Sequence, residues 1–127
     1  IRRLFIQFKK RNQLDRKRWQ ILWLLHHVLG NTISKLACDI IDTPAIMAAK
    51  SHLRNGRPLV IAPSTNNGLS GNAENIGKLL NRNNYYFVPF RQDNPITKPR
   101  SVVFDSEYII RTIKSALDRE QVSPILL

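Results

Sequence analysis

Residues 58–77, PLVIAPSTNNGLSGNAENIG, limit the fold more than any other stretch of the chain. Residues 59–62 are a short continuous apolar run, the pattern of a strand buried on both faces. Pro63 ends the run. A loop of Ser, Thr, Asn and Gly follows, and helical periodicity begins near Asn72. Strand, polar loop and helix form the repeating unit of α/β proteins, whose ligands bind beyond the carboxyl ends of the strands. Small polar residues in such a loop offer backbone N–H groups and side-chain amides. The helix N-terminus adds a partial positive charge suited to phosphate or carboxylate.

The sequence on either side extends this unit. The spacing predicts a helix over residues 72–81, and the aromatic run YYFVPF at residues 85–90 predicts a second strand. Strand, helix and strand at this separation make a βαβ unit with parallel strands. Residues 91–100 read as a proline-rich loop carrying Arg91, Lys98 and Arg100. Such a loop can clamp a carboxylate or phosphate, and the same composition also serves as a plain crossover. A last helix is expected over residues 106–119, with Tyr108, Ile109, Ile113, Ala116 and Leu117 as its buried stripe. Residues 124–127 read as the start of a strand or a packed tail.

Upstream, Thr32 is placed to cap a helix running to about Asp42, with Ile33, Leu36, Ala37, Ile40 and Ile41 on one face. Thr43 caps a second helix, with Pro44 at its first position and Gly56 just past its end. Ile46, Met47, Ala49 and Leu53 supply its apolar side, and His52 has no evident partner. Cys38, the only cysteine, reads as a small core residue.

The chain has 127 residues, enough for one domain with a core or for a piece of a larger one. Its formal charge is +11, and residues 1–30 hold +7 of it, from eight Lys or Arg against one acid. There the cations alternate with Phe5, Phe8, Trp19 and Trp23. That mixture suits a nucleic-acid arm, with cations on phosphates and aromatics on bases. It also suits a basic helix on acidic membrane, or a solvated segment with no partner. A non-enzymatic module binding nucleic acid or acidic membrane through residues 2–23 is therefore the alternative reading of the chain. The apolar run at residues 21–25 is far too short to span a bilayer, and no signal-peptide pattern stands out.

Several chemistries lack their residues. The chain has no Walker loop and no Gly-x-Gly-x-x-Gly. Ser64 and Ser70 lack a His and acid partner in any recognisable pattern. No ligand cluster supports a metal site. What remains is a polar strand-end loop and a cationic segment, suited to a cofactor that carries its own reactivity.

Four strings extend this reading: GNTISKLACDIIDTPAIMAAK, RPLVIAPSTNNGLSGNAENIGKLL, YYFVPFRQDNPITKPRSVV and SALDREQVSPILL. Residues 30–127, which contain them, resemble the dipicolinate synthase B family of spore-forming bacteria. The pattern Gln92-Asp93-x-Pro95-x-x-Lys98-Pro99 is the most specific part of the likeness. That family looks like a branch of the flavoprotein superfamily that includes the flavin-containing cysteine decarboxylases. The resemblance implies a three-layer Rossmann/flavodoxin-like α/β fold with a parallel sheet, truncated here at the N-terminus. It further implies an oligomer that binds FMN.

Two superfamily motifs have counterparts. The Asn-Thr that ends a Pro-Ala-Ser-Ala-Asn-Thr motif corresponds to Asn31-Thr32, and the Asn of that motif matters for activity. A Pro-x-Met-Asn motif corresponds to Pro63-Ser64-Thr65-Asn66, with Thr65 in place of Met. By resemblance, then, Asn31 is the catalytic candidate, and Asn31, Thr32, Pro63, Ser64, Thr65 and Asn66 are the cofactor-binding ones. Arg91, Lys98 and Arg100 are the substrate-side candidates. The implied reaction is oxidation of a dihydrodipicolinate-type intermediate to dipicolinate during sporulation. The implied partner is an A subunit resembling an NAD(P)-dependent dehydrogenase, in the cytoplasm of the mother cell.

Residues 1–30 stand outside this likeness. Just before Gly-Asn-Thr the family carries a strand and loop like ADIMVIAPCTG, where this chain has QILWLLHHVLG. Degenerate codons for Trp19 to Gly30 can be chosen so that reading from the third base yields ADIMVIAPCTG. Codons for Asn12 to Trp19 can likewise be chosen to yield PIGPKKM, part of the family-like KPIGPKKMA. Residues 1–30 therefore read as an out-of-frame translation, rejoined to the true frame by one extra base near Gly30. On this reading the basic arm has no designed partner, and the foreign segment is expected to remove a central strand.

Overall fold

The computed structural model describes residues 23–28 and 30–127. The proposed nucleic-acid or membrane arm over residues 2–23 lies almost wholly outside them. In chain order the elements are β1 (Trp23–Val28), α1 (Gly30–Ala37), α2 (Pro44–Arg54), β2 (Leu59–Thr65), α3 (Ala73–Leu80) and β3 (Tyr85–Phe87). Then come β4 (Phe90–Asn94), β5 (Lys98–Phe104), a 3-10 turn (Ser106–Tyr108) and α4 (Ile109–Leu117).

The sheet is built on β2. Its first half lies between two parallel neighbours, with Leu59 opposite Trp23 of β1 and Tyr85 of β3. The βαβ unit expected from residues 59–90 is thus present, as β2–α3–β3. Leu59, Val60, Ile61 and Ala62 have no exposed surface. Successive strand residues point to opposite faces, so both faces of β2 are covered and the architecture has three layers. Phe87, Val88, Ile33, Leu36 and Leu79 complete the centre of the core.

The second half of β2 differs from expectation. The strand continues through Pro63 to Thr65. Proline lacks an N–H and is tolerated in strands at irregular positions. Here Pro63 pairs with Val28, next to a register irregularity in β1. Ser64 and Thr65 then pair with Val103 and Val102 of β5, antiparallel. An antiparallel β4–β5 hairpin thereby extends the parallel core.

That hairpin replaces the loop expected over residues 91–100. Asn94 makes the difference: its Oδ1 accepts from the backbone N–H groups of Ile96 and Thr97, both at 3.0 Å. The side chain closes an Asx-type turn around Pro95, and the flanking residues pair. The strand expected over residues 85–90 is likewise split, because Pro89 cannot donate to a ladder. Tyr85–Phe87 follows β2, whereas Phe90 opens β4.

A strand is nonetheless present where residues 1–30 meet the domain. The out-of-frame reading anticipated the loss of a central strand, but residues 23–28 pair with β2 in parallel.

Helix ends follow local chemistry. The helix expected to reach Asp42 stops at Ala37, since Asp39 takes a left-handed conformation at φ 58°. Ile40 N–H bonds back to Lys35 O at 2.9 Å and Asp39 N–H to Leu36 O at 3.4 Å, the pairing of a Schellman stop. Ile40 and Ile41 are consequently exposed, and so is Cys38, which was expected in the core. Thr32 lies inside the first turn of α1 and does not cap it. Arg82 closes the far end of the helix, donating to Leu36 O at 3.1 Å and Ala37 O at 2.7 Å.

Helix α2 matches its sequence signals. Thr43 Oγ1 accepts from Ile46 N–H at 3.3 Å, Pro44 follows, and Gly56 at φ 68° makes the stop. Met47, expected on the apolar side, is exposed. His52 does have a partner: it is buried and its Nε2 lies 3.0 Å from Pro58 O.

At the other edge, the Gln121 amide brackets Phe87 of β3. It accepts from Phe87 N–H at 2.8 Å and donates to Phe87 O at 2.7 Å. The C-terminal residues pair with Phe90, whose N–H bonds to Ile125 O and whose O accepts from Leu127 N–H, each at 3.0 Å. Residues 124–127 therefore do begin a strand-like pairing.

Candidate functional site

A cleft of about 570 Å³ opens at the carboxyl end of β2. Three walls meet there. Gly30, Asn31 and Ser34 come from the start of α1. Ser64, Thr65, Asn66 and Asn67 come from the end of β2 and its turn, and Asn72 precedes α3. The hairpin supplies Asp93, Ser101, Val102 and Val103.

Hydrogen bonds fix the floor of the cleft. Thr65 Oγ1 donates to Asn67 Oδ1 at 2.7 Å, and Asn72 Nδ2 donates to the same oxygen at 2.7 Å. Asn75 Nδ2 donates to Asn72 Oδ1 at 2.9 Å. Asn67 O accepts from the N–H groups of Ser70 and Asn72 at 3.1 and 3.0 Å. A polar loop with so many small side chains folds back on itself because each amide satisfies its neighbour.

The walls are fastened to this floor. A Cβ placed on Gly30 would strike Asn72 Nδ2 and Thr65 Oγ1. Only glycine lets the start of α1 approach the network so closely. On the other side, Leu69 N–H bonds to Arg100 O at 3.0 Å, and Arg100 Nη1 donates to Leu69 O at 3.1 Å. Ser101 Oγ donates to Thr65 O at 3.3 Å.

The residues singled out from sequence divide into three groups. Asn31, Ser64, Thr65 and Asn66 meet in the cleft, although 33 positions separate the first two. Among the described residues, the side chains of Asn31, Ser64 and Asn66 make no hydrogen bond, so they are available to a ligand. Thr32 and Pro63 adjoin the cleft in sequence but do not line it; Pro63 is held in the β1–β2 ladder.

Arg91, Lys98 and Arg100 form the third group, on the exposed hairpin outside the lining. Arg91 pairs with Asp105 at 3.1 Å, Lys98 with Asp93 at 3.5 Å, and Arg100 holds Leu69 O. Asp93 is thus the one charged side chain of the lining among the described residues, and it pairs with Lys98.

Sequence reasoning named Asp93 only within the family-like pattern, and did not name Gly30, Asn67, Asn72 or Ser101 as site residues. Asn67 and Asn72 lie in the Asn-rich turn already marked, but nothing in their spacing says which amide bonds which. Among the described residues no group of His, Cys, Asp and Glu could hold a metal ion. No helix among them is long and apolar enough to cross a membrane.

A parallel β1–β2–β3 core covered on both faces, with a polar cleft at its carboxyl edge, defines a Rossmann-like α/β domain. Comparison with known proteins narrows this further. The chain is 44% identical over 98 residues to the dipicolinate synthase B subunit of Bacillus subtilis (strain 168), an overlap of 77% of this chain and 49% of that protein. The crystal structure of the dipicolinate synthase B subunit from Bacillus halodurans C superposes with a TM-score of 0.82 at 42% identity, over 84% of this chain and 54% of that one. No family model matches. The chain therefore belongs with the dipicolinate synthase B subunits as a partial chain, and spans about half the length of the relatives it matches.

Proposed function

We propose that this chain supplies the ligand cleft of a dipicolinate synthase B subunit, and that the cleft receives FMN and a pyridine-dicarboxylate precursor. The meeting of Asn31 with Ser64–Asn66 in one cleft carries the reading, since these are the two motif segments that the flavoprotein resemblance assigns to cofactor and catalysis.

The donor set fits a flavin. The lining is polar and almost uncharged, with free carboxamides at Asn31 and Asn66 and a hydroxyl at Ser64. Such groups match the carbonyl and ring-nitrogen edge of an isoalloxazine, and the cleft volume falls within the ~300–1,000 Å³ of small-molecule sites. The bound flavin would supply a two-electron acceptor for oxidation of the dihydropyridine ring.

The chain's own residues do the positioning. Asn31 and Asn66 come from different walls of the cleft, and both contact the ligand. The N-terminus of α1 favours negative charge at Gly30 and Asn31. Lys98, paired with Asp93 at the rim, offsets that carboxylate when a dianion enters. The reading includes an A subunit carrying NAD(P) as partner, a homo-oligomeric assembly, and a cytoplasmic role in the mother cell during sporulation. It leaves no part for nucleic acid or membrane.

Titrating the purified chain with FMN and following flavin fluorescence tests this. Saturable quenching at one flavin per chain is expected, weakened about tenfold or more by Asn66→Ala, which removes a hydrogen-bonding group from the cleft. A folded protein that leaves flavin fluorescence unchanged contradicts the proposal.

A further inference from the structure

Asn67 is held in one orientation. Its carboxamide oxygen has two lone pairs, and both are engaged, by Thr65 Oγ1 and by Asn72 Nδ2, each at 2.7 Å. Asn72 can turn round only together with Asn75, because its own Oδ1 accepts from Asn75 at 2.9 Å, and only 4% of the residue is exposed. The Asn67 oxygen is therefore turned inward. Its NH₂ group, with two donors, has no acceptor among the described residues, while Asn67 itself is exposed and lines the cleft.

We infer that Asn67 is a locked donor that reads a carboxylate oxygen of the ligand, and that Asn72 is the positioning residue that keeps it so. The inference rests on the proposed dicarboxylate cleft and adds a specificity determinant to it. A carboxylate oxygen accepts from an N–H group of a fixed amide. A ligand presenting N–H groups at that point instead meets donor against donor, and each buried unpaired group costs affinity. The neighbouring free amides of Asn31 and Asn66 add donors to the same space. Asp93 repels a carboxylate from the hairpin side, and its pairing with Lys98 at 3.5 Å reduces that effect.

Asn67→Asp separates this from a structural role. Aspartate keeps an oxygen for the Thr65 and Asn72 bonds and replaces the outward NH₂ with a second oxygen. Pyridine-2,6-dicarboxylate and its neutral diamide are titrated calorimetrically into the natural protein and into N67D, with FMN measured in parallel. The natural protein is expected to prefer the dicarboxylate. In N67D, dicarboxylate affinity should fall about tenfold or more, while the diamide binds no more weakly than before, because its N–H groups now meet an acceptor.

An unchanged preference in N67D overturns the assignment. So does an N67D protein that no longer folds, since an inward oxygen predicts that aspartate preserves both bonds. A natural protein that binds neither pyridine compound overturns it as well. Failure of the natural protein to bind FMN contradicts the flavin reading alone and leaves the carboxylate preference as a separate result.

Discussion

Asn72 Nδ2 lies 2.7 Å from Asn67 Oδ1, joining the residue before α3 to the turn after β2. Gly30 packs against this pair so closely that any side chain would strike it. One hydrogen bond thus braces the floor on which the start of α1 rests. Pieces of local polar structure, each ordinary, become a site because a helix start without a side chain rests on them.

Gly30→Ala tests that packing. The added Cβ must displace Asn72, Thr65 or α1, and overpacking of this kind costs about 1–3 kcal/mol. Urea unfolding should show the midpoint falling with the slope unchanged. Gly56→Ala is a useful contrast: nothing lies within 4 Å of the position it would fill, so its cost comes from the left-handed backbone alone.

Arg82 joins α3 to α1 by way of two carbonyls, Leu36 O and Ala37 O. Arg82→Met keeps much of the stem and removes both charge-assisted bonds. A loss of about 1.5–3 kcal/mol is expected, and Arg82→Lys should recover only part of it, because an ammonium cannot reproduce the planar fork. Thermal unfolding of the two variants beside the natural protein checks the order.

Asp39 gives the fold a modest acid sensitivity. Its hydrogen bond to Lys50 holds its carboxyl below the ordinary carboxylate value, with Lys50 and Arg82 charges adding to the effect against some desolvation. A carboxyl with a folded pKa below its unfolded one contributes stability above the unfolded value and loses it as pH falls through the folded one. Stability measured from pH 6 downward should therefore decline below about pH 4, and less steeply in Asp39→Asn. The side chain is 62% exposed, so the contribution is that of a surface pair.

The fold was legible in places where short-range chemistry decides. Thr43, Pro44 and Gly56 marked both ends of α2, and the apolar run at residues 59–62 marked the central strand. Legibility ended where one side chain changes the path of the backbone. Asn94 turned an expected loop into a hairpin, and Asp39 stopped α1 a turn before its apolar pattern ran out. The cleft was half visible. Its polar turn announced itself, but the contact of Gly30 with Asn72, 42 positions apart, is tertiary and leaves no periodic trace.

The out-of-frame reading of residues 1–30 makes its own prediction at the level of DNA. Sequencing through the codons for Gln20 to Thr32 should show an extra base in a run of G. The other frame upstream should then encode the family-like strand. Codons that yield no such strand in any frame would make the basic segment a genuine part of the protein, and its salt-dependent binding to nucleic acid would become the question to ask.

Whether the carboxyl end of β2 receives a flavin between Asn31 and Asn66 is decided by nuclear magnetic resonance of the ¹⁵N-labelled chain during addition of FMN. The largest shifts are expected on backbone amides of Gly30, Asn31 and Ser64 to Asn67, and on the side-chain amides of Asn31 and Asn66. Shifts centred on the separate cleft between Arg82 and Gln121, or a spectrum of folded protein unmoved by FMN, would contradict the flavin site.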